Sequence, residues 1–288
     1  MASAIPDEAL SSWGGEGRPL VLAHANGFPP ATYRVLLEEL ASDFCVQAYA
    51  ARPLWPGSDP ASASSWRELS EDLERTLAER GLTGAVGVGH SLGGILWLMV
   101  AARRSDALSL LVLVDPVIFT GLHAASWSLL QRLGGARQIP LVKGALRRRD
   151  RYPDRESILR SYRQKPVFRS WQPEVLEDYV RYGFQPAGDG QLELSYSKAW
   201  EARIFELTPA SVWRDLRRLE VPVLVIRGKT SDTFLPNAAA RLQRLLPSAR
   251  VIEMEGSHFL PMERPNEVAA KILGWAGRGS AGTGDDND

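Results

Sequence analysis

Cysteine is nearly absent: Cys45 is the only one in 288 residues. That excludes an internal disulfide and any cysteine-based zinc cluster. Cys45 lies in the apolar stretch FCVQAYA, which marks it as a core thiol rather than a reactive one. Net charge is also missing. The 34 Lys and Arg residues balance 34 Asp and Glu, so no global field draws the chain to nucleic acid or to an anionic membrane. Long apolar runs are lacking too. The longest strictly apolar stretch, ILWLMVAA at 95–102, falls well short of the roughly 20 residues a membrane-spanning helix needs. Asp7 and Glu8 interrupt the N-terminal stretch where an export signal requires an unbroken apolar segment. The expectation is a cytoplasmic protein with no membrane span.

What remains is an ordinary globular composition, 44% hydrophobic and 24% charged, long enough to bury a large core. Short apolar runs alternate with amphipathic segments. PLVLAHA (19–25), FCVQAYA (44–50), AVGVGH (85–90), LLVLVDP (110–116), VPVLVIRG (221–228) and ARVIEME (249–255) read as strands, with helix patterns near 30–41, 65–80, 92–104, 236–246 and 264–276. The alternation predicts an α/β fold, a mostly parallel sheet flanked by helices. Ser65, with Glu68 three residues on, predicts a capping box, and Pro265 suits the first turn of the last helix.

The alternation stops at 117 and resumes near 214. Between these points lie helical patterns and turn signals without a convincing buried strand. Residues 117–213 are therefore assigned as an inserted helical cap, and 1–116 with 214–277 as the core. Within the cap, residues 137–181 carry 12 basic and 6 acidic side chains. Most are expected to be solvated surface, with a role in steering an anionic substrate as the alternative. The small, polar, acidic tail at 278–288 is expected to be disordered.

The stretch VGHSLGG at 88–94 sets Ser91 between Gly89 and Gly93, where a strand runs directly into a helix. Such a junction imposes an unfavourable backbone geometry on the serine and projects its hydroxyl above the sheet. The helix N-terminus beneath it offers N–H groups to a developing negative charge. A serine hydroxyl needs a base, and the chain has four histidines. His90 adjoins the serine on a turn whose side chains diverge, His24 ends the first strand, and His123 lies in the cap. His258, in GSHFLPMERP between the last strand and the last helix, falls at the carboxyl edge of the sheet and is the expected base.

Two carboxylates compete for the acid. Asp232, in GKTSDTFLP, stands 26 residues before His258 on the preceding strand and is preferred. Asp115, at the end of LLVLVDP, reaches the same edge but is read as a turn residue ahead of Pro116. The backbone N–H groups of Leu92 and Phe28 are expected to form an oxyanion hole. Gly27 lets the loop HANGFPP turn, and His24 and Asn26 are expected to hold that loop by hydrogen bonds. Leu122, Trp127, Leu130 and Leu133 are candidates for an acyl pocket or, equally, for packing the cap onto the core.

With HANGFP, GHSLGG and GSHFLPMERP, supported by GKTSDTF, the chain resembles members of the α/β-hydrolase superfamily in the branch of capped esterases and lipases, over residues 19–277. The resemblance implies an eight-stranded, mostly parallel sheet, the triad Ser91–Asp232–His258, and neither cofactor nor metal. Two departures stand out. Only 18 residues precede the first clear strand, so the antiparallel strands at that edge should be short or partly absent. Asn26-Gly27 also stands where His-Gly is commoner. The expected function is a carboxylesterase that hydrolyses small to medium acyl esters through an acyl-enzyme, its partner being a small-molecule ester. A serine nucleophile departs from related dehalogenases and epoxide hydrolases, which use aspartate there. Carbon–carbon bond hydrolysis of a diketone-type ring-cleavage product, cofactor-free perhydrolysis and a catalytically silent binding protein are the alternatives. An exposed apolar patch would make the chain a homodimer candidate.

Overall fold

The computed structural model describes residues 4–277, so the tail at 278–288 lies outside the described residues. Seven strands form the main sheet among them: β1 (Leu10–Gly14), β2 (Pro19–Ala23), β3 (Cys45–Tyr49), β4 (Ala85–His90), β5 (Leu108–Val114), β9 (Val223–Gly228) and β10 (Arg250–Met254). Their spatial order is β1-β3-β2-β4-β5-β9-β10. Only β1 runs antiparallel, paired with β3; the other neighbours are parallel. The sheet is thus one strand short of the eight that the resemblance implies. Among the described residues, β1 is the one strand ahead of β2.

The central strands are continuous apolar runs because both faces of the sheet are covered. Successive residues of β2 feed opposite cores: Val21 and Ala23 pack on one side, Leu20 and Leu22 on the other. The first side is closed by α2 (Trp66–Glu79), α3 (Leu92–Ala101) and α10 (Pro236–Leu245), the second by α1 (Arg34–Leu40) and α12 (Pro265–Ala276). Every residue of α3 is buried, as an all-round apolar helix must be. Ser65 caps α2 by accepting from the Glu68 N–H at 3.4 Å. The Glu68 carboxylate reaches the Ser64 N–H at 3.0 Å rather than that of Ser65, so the expected capping box closes one residue early.

Between β5 and β9 the chain forms α4 (Gly121–Arg132), α5 (Pro140–Arg147), α6 (Arg155–Arg163), α7 (Pro173–Tyr182), α8 (Lys198–Glu206) and α9 (Trp213–Leu216). It also forms three strands that the sequence pattern hides, β6 (Arg151–Tyr152), β7 (Phe184–Pro186) and β8 (Leu192–Leu194), paired antiparallel in the order β6-β8-β7. Two or three residues are too few for alternation to register. Tyr152, Tyr162, Trp171 and Tyr179 from this segment join the core on the α1/α12 side. Trp127 is buried and its indole N–H donates to the Thr208 carbonyl at 2.7 Å, which ties α4 to the chain after α8 within the same segment. Leu122 and Leu133 are 89% and 75% exposed, which removes them from any enclosed acyl pocket. After β10 come α11 (Leu260–Glu263) and α12. Among the described residues no helix is long and apolar enough to cross a membrane.

Candidate active site

The strand-to-helix junction has the geometry that its sequence demands. Ser91 sits at φ 54°, ψ −113° between β4 and α3, a conformation that a non-glycine residue holds only when its surroundings over-determine it. The surroundings do so by proximity. A methyl on Gly93 would lie 2.0 Å from the Ala23 carbonyl oxygen, and one on Gly89 would lie 2.4 Å from the Gly94 nitrogen. The Ser91 N–H donates to the Val114 carbonyl at 3.0 Å, which ties the turn to the neighbouring strand.

His258, on the loop between β10 and α11, meets the serine. Its Nε2 lies 3.0 Å from Ser91 Oγ and its Nδ1 lies 2.8 Å from Asp115 Oδ1. A carboxylate oxygen only accepts, so Nδ1 carries the proton and Nε2 is left to accept from the serine hydroxyl.

The carboxylate on the imidazole is therefore Asp115, and the expectation for Asp232 is corrected. The Asp232 side chain is exposed and accepts from Thr233 Oγ1 at 3.2 Å. The reason is strand order. β5 lies directly beside β4, with Val114 paired to His90, so the residue after β5 stands abreast of Ser91. β9 lies one strand further out. From there it contributes Ser231, the residue before Asp232, whose hydroxyl donates to Asp115 Oδ1 at 2.6 Å, and the Gly228 N–H, which donates to Oδ2 at 2.8 Å. Asp115 is fully buried, and these donors with His258 provide the partners a buried carboxylate needs. It too has a positive φ, 43°. The signal available in the sequence was an acidic residue immediately after a continuously apolar strand.

Two other histidines hold the site together. The Ala25 N–H donates to Tyr33 OH at 2.9 Å, Tyr33 donates to His90 Nδ1 at 2.8 Å, and His90 Nε2–H donates to the His258 carbonyl at 2.9 Å. This chain links the 24–28 loop, the serine turn and the His258 loop, and its role was not legible in the sequence. His24 Nδ1–H donates to the Ala25 carbonyl at 2.8 Å and Nε2 accepts from the Ala51 N–H at 3.0 Å, so His24 does tie that loop to its neighbours. Asn26 does likewise, donating to the Glu201 carbonyl at 3.0 Å. His123, in α4, stacks on Phe119 just ahead of that helix.

Burial pushes His24 down from 6.5 to about 4, its bond to Ala25 opposing. Burial also holds His90 well below the ordinary histidine value, with His258 adding to the effect. In the unfolded chain both would take up protons near 6.5, which the fold refuses. Stability is thus fully present above that value and declines as pH falls towards about 4. Urea midpoints should be lower at about pH 5 than at about pH 7.5; equal midpoints would show that these rings are not buried neutral.

Phe28 N–H donates to the Ala25 carbonyl at 3.3 Å, closing the turn on Gly27 at φ 84°. Leu92 is the first residue of α3, where N–H groups have no intrahelical partner. A groove of about 320 Å³ runs beside His258, with Val167, Asp232 and Phe259 among its walls.

The family model described as "Alpha/beta hydrolase family" matches residues 20–271. The chain belongs to that family. A curated relative, 2-(acetamidomethylene)succinate hydrolase of Mesorhizobium japonicum, is 22% identical over 265 residues, covering 90% of this chain and 87% of the relative. An abhydrolase domain-containing protein of Alternaria alternata, AFT2-1, is 28% identical over 230 residues, 66% of this chain and 82% of its own length. Among solved structures, E-2-(acetamidomethylene)succinate hydrolase superposes with a TM-score of 0.78 at 20% identity, covering 93% of this chain and 94% of the other. For this alpha/beta hydrolase, the family accounts for the sheet and for hydrolytic chemistry at large.

Proposed function

We propose that the protein is a serine carboxylesterase that hydrolyses small to medium acyl esters through an acyl-enzyme on Ser91, with His258 as base and Asp115 as its orienting acid. The observation that carries this reading is the continuous line from Ser91 Oγ through the His258 ring to Asp115, at 3.0 Å and 2.8 Å. In this mechanism His258 Nε2 takes the hydroxyl proton as Ser91 Oγ bonds to the ester carbonyl carbon. Asp115 holds the imidazole in the productive tautomer and stabilises the imidazolium. The carbonyl oxygen becomes an oxyanion facing the Leu92 amide and the Phe28 amide, which turns to it from its long 3.3 Å bond to the Ala25 carbonyl. The ester C–O bond then breaks as His258 returns the proton to the departing alcohol. Water repeats the sequence, giving up its proton to His258 and releasing the acid and Ser91. Residues 117–213 serve as a cap on a core of 1–116 and 214–277; the contact of Trp171 and Tyr179 with Phe28 supports this role, at ring separations of 5.7 and 5.3 Å.

Turnover of p-nitrophenyl acetate and p-nitrophenyl octanoate beside a ring-cleavage dienoate tests the reaction class. Ester hydrolysis with negligible dienoate cleavage is expected. Dienoate cleavage without ester hydrolysis would replace this reading by carbon–carbon bond hydrolysis, and no turnover of any of the three by folded protein would favour the silent binding protein.

A further inference from the structure

Ten of the twelve basic residues of 137–181 are exposed surface groups, and four of these pair with an acidic side chain: Arg137 with Glu206, Arg151 with Asp189, Arg160 with Glu156 and Arg163 with Glu177. Two form a different arrangement. Arg148, at the end of α5, and Lys165, just after α6, converge on the ring of Tyr162. The Arg148 guanidinium is largely buried and donates to Glu201 Oε2 at 2.7 Å, to the Tyr162 hydroxyl at 2.8 Å and to the Tyr179 hydroxyl. Lys165 is half-buried, its Nζ 3.9 Å from the centre of the Tyr162 ring, and no carboxylate pairs with it among the described residues. Burial and the positive charge of Arg148 lower its pKa, with Glu201 acting in the opposite direction. Two cations therefore share one carboxylate, which Arg148 already engages.

This excess charge sits against the loop that carries the Phe28 amide. Glu201 accepts from Asn26 through its backbone carbonyl, and Tyr179 donates to the Gly27 carbonyl at 3.4 Å. Trp171, 95% buried beside Phe28, has no acceptor for its indole N–H among the described residues. A half-buried cation without a counter-ion and a buried donor without an acceptor are both unfavourable unless something fills them. Their common wall runs through Tyr162, Phe168 and Tyr179 to Phe28. Asp232 and Glu263 line the groove at His258, so a substrate anion is repelled from that mouth and attracted towards Lys165.

We propose that the substrate carries a carboxylate remote from the bond that breaks, and that Lys165 receives it, with Arg148 behind it positioning the tyrosine wall. This rests on the serine-hydrolase reading and narrows its substrate class to anionic acyl compounds. A charge-assisted hydrogen bond of this kind changes affinity by about tenfold or more.

The test compares the mono-p-nitrophenyl ester of glutarate with p-nitrophenyl pentanoate, which matches it in length without the charge. In the wild type, kcat/KM should favour the anionic ester by about tenfold or more. Lys165→Met should bring the ratio of the two close to one, and Lys165→Arg should retain most of the preference. A second arm needs no turnover: glutarate titrated calorimetrically into Ser91→Ala protein should bind, and adding Lys165→Met should weaken that binding about tenfold. Equal treatment of the two esters by the wild type, an equal loss for both in Lys165→Met, or glutarate binding indifferent to Lys165 would overturn the subsite. If neither ester is hydrolysed while glutarate binds through Lys165, the esterase reading fails and the subsite stands.

Discussion

Replacing Ser91 by alanine is expected to lower ester turnover on the order of 10⁶-fold while leaving the urea midpoint close to wild type. The loss is large because the proposed mechanism has no second nucleophile: the hydroxyl 3.0 Å from His258 Nε2 is the atom that forms the acyl bond. The fold should survive because the side-chain contact given up is that one hydrogen bond. The strained φ of 54° is no worse for alanine than for serine. The methyl remains, and the N–H that ties the turn to Val114 is untouched. A Ser91→Ala protein that turns over esters at rates near wild type would move the nucleophile elsewhere.

Asp115→Asn should cost about 10⁴-fold in kcat, with Asp232→Asn close to wild type. An amide at 115 can present an N–H to His258 Nδ1, which favours the tautomer with its proton on Nε2 and blocks proton uptake from Ser91. It also puts a second donor against the Ser231 hydroxyl or the Gly228 N–H, where the carboxylate accepts from both. Asp232 is exposed and bonds only to Thr233 among the described residues, so its amide changes little at the reacting atoms. The reverse outcome, a damaged Asp232→Asn with an active Asp115→Asn, would restore the acid to β9. Circular dichroism on both variants separates lost catalysis from lost fold.

The contrast between these two aspartates marks where sequence reasoning stops. Ser91 and His258 were legible because each is fixed locally, one by a strand, two glycines and a helix, the other by a loop between strand and helix. The acid depends on which strand lies beside β4, and sheet order is not written in the spacing of residues. A separation of 26 residues made Asp232 attractive, while the register of β4 against β5 made Asp115 the neighbour. The Tyr33–His90 link escaped for the same reason, since its partners are 57 residues apart. The main strands were plain from their apolar runs, whereas β6, β7 and β8 are too short to carry a period. The apolar pattern of α4 could not tell a packed face from an open one, and Leu122 and Leu133 proved exposed.

Fluorophosphonate labelling of the folded protein, mapped by peptide mass, tests the central claim most directly. One adduct on Ser91, formed rapidly in the wild type and in Asp232→Asn and slowed severely in Asp115→Asn, is the predicted result. Folded wild-type protein that takes no label, or takes it at a residue other than Ser91, would contradict the account.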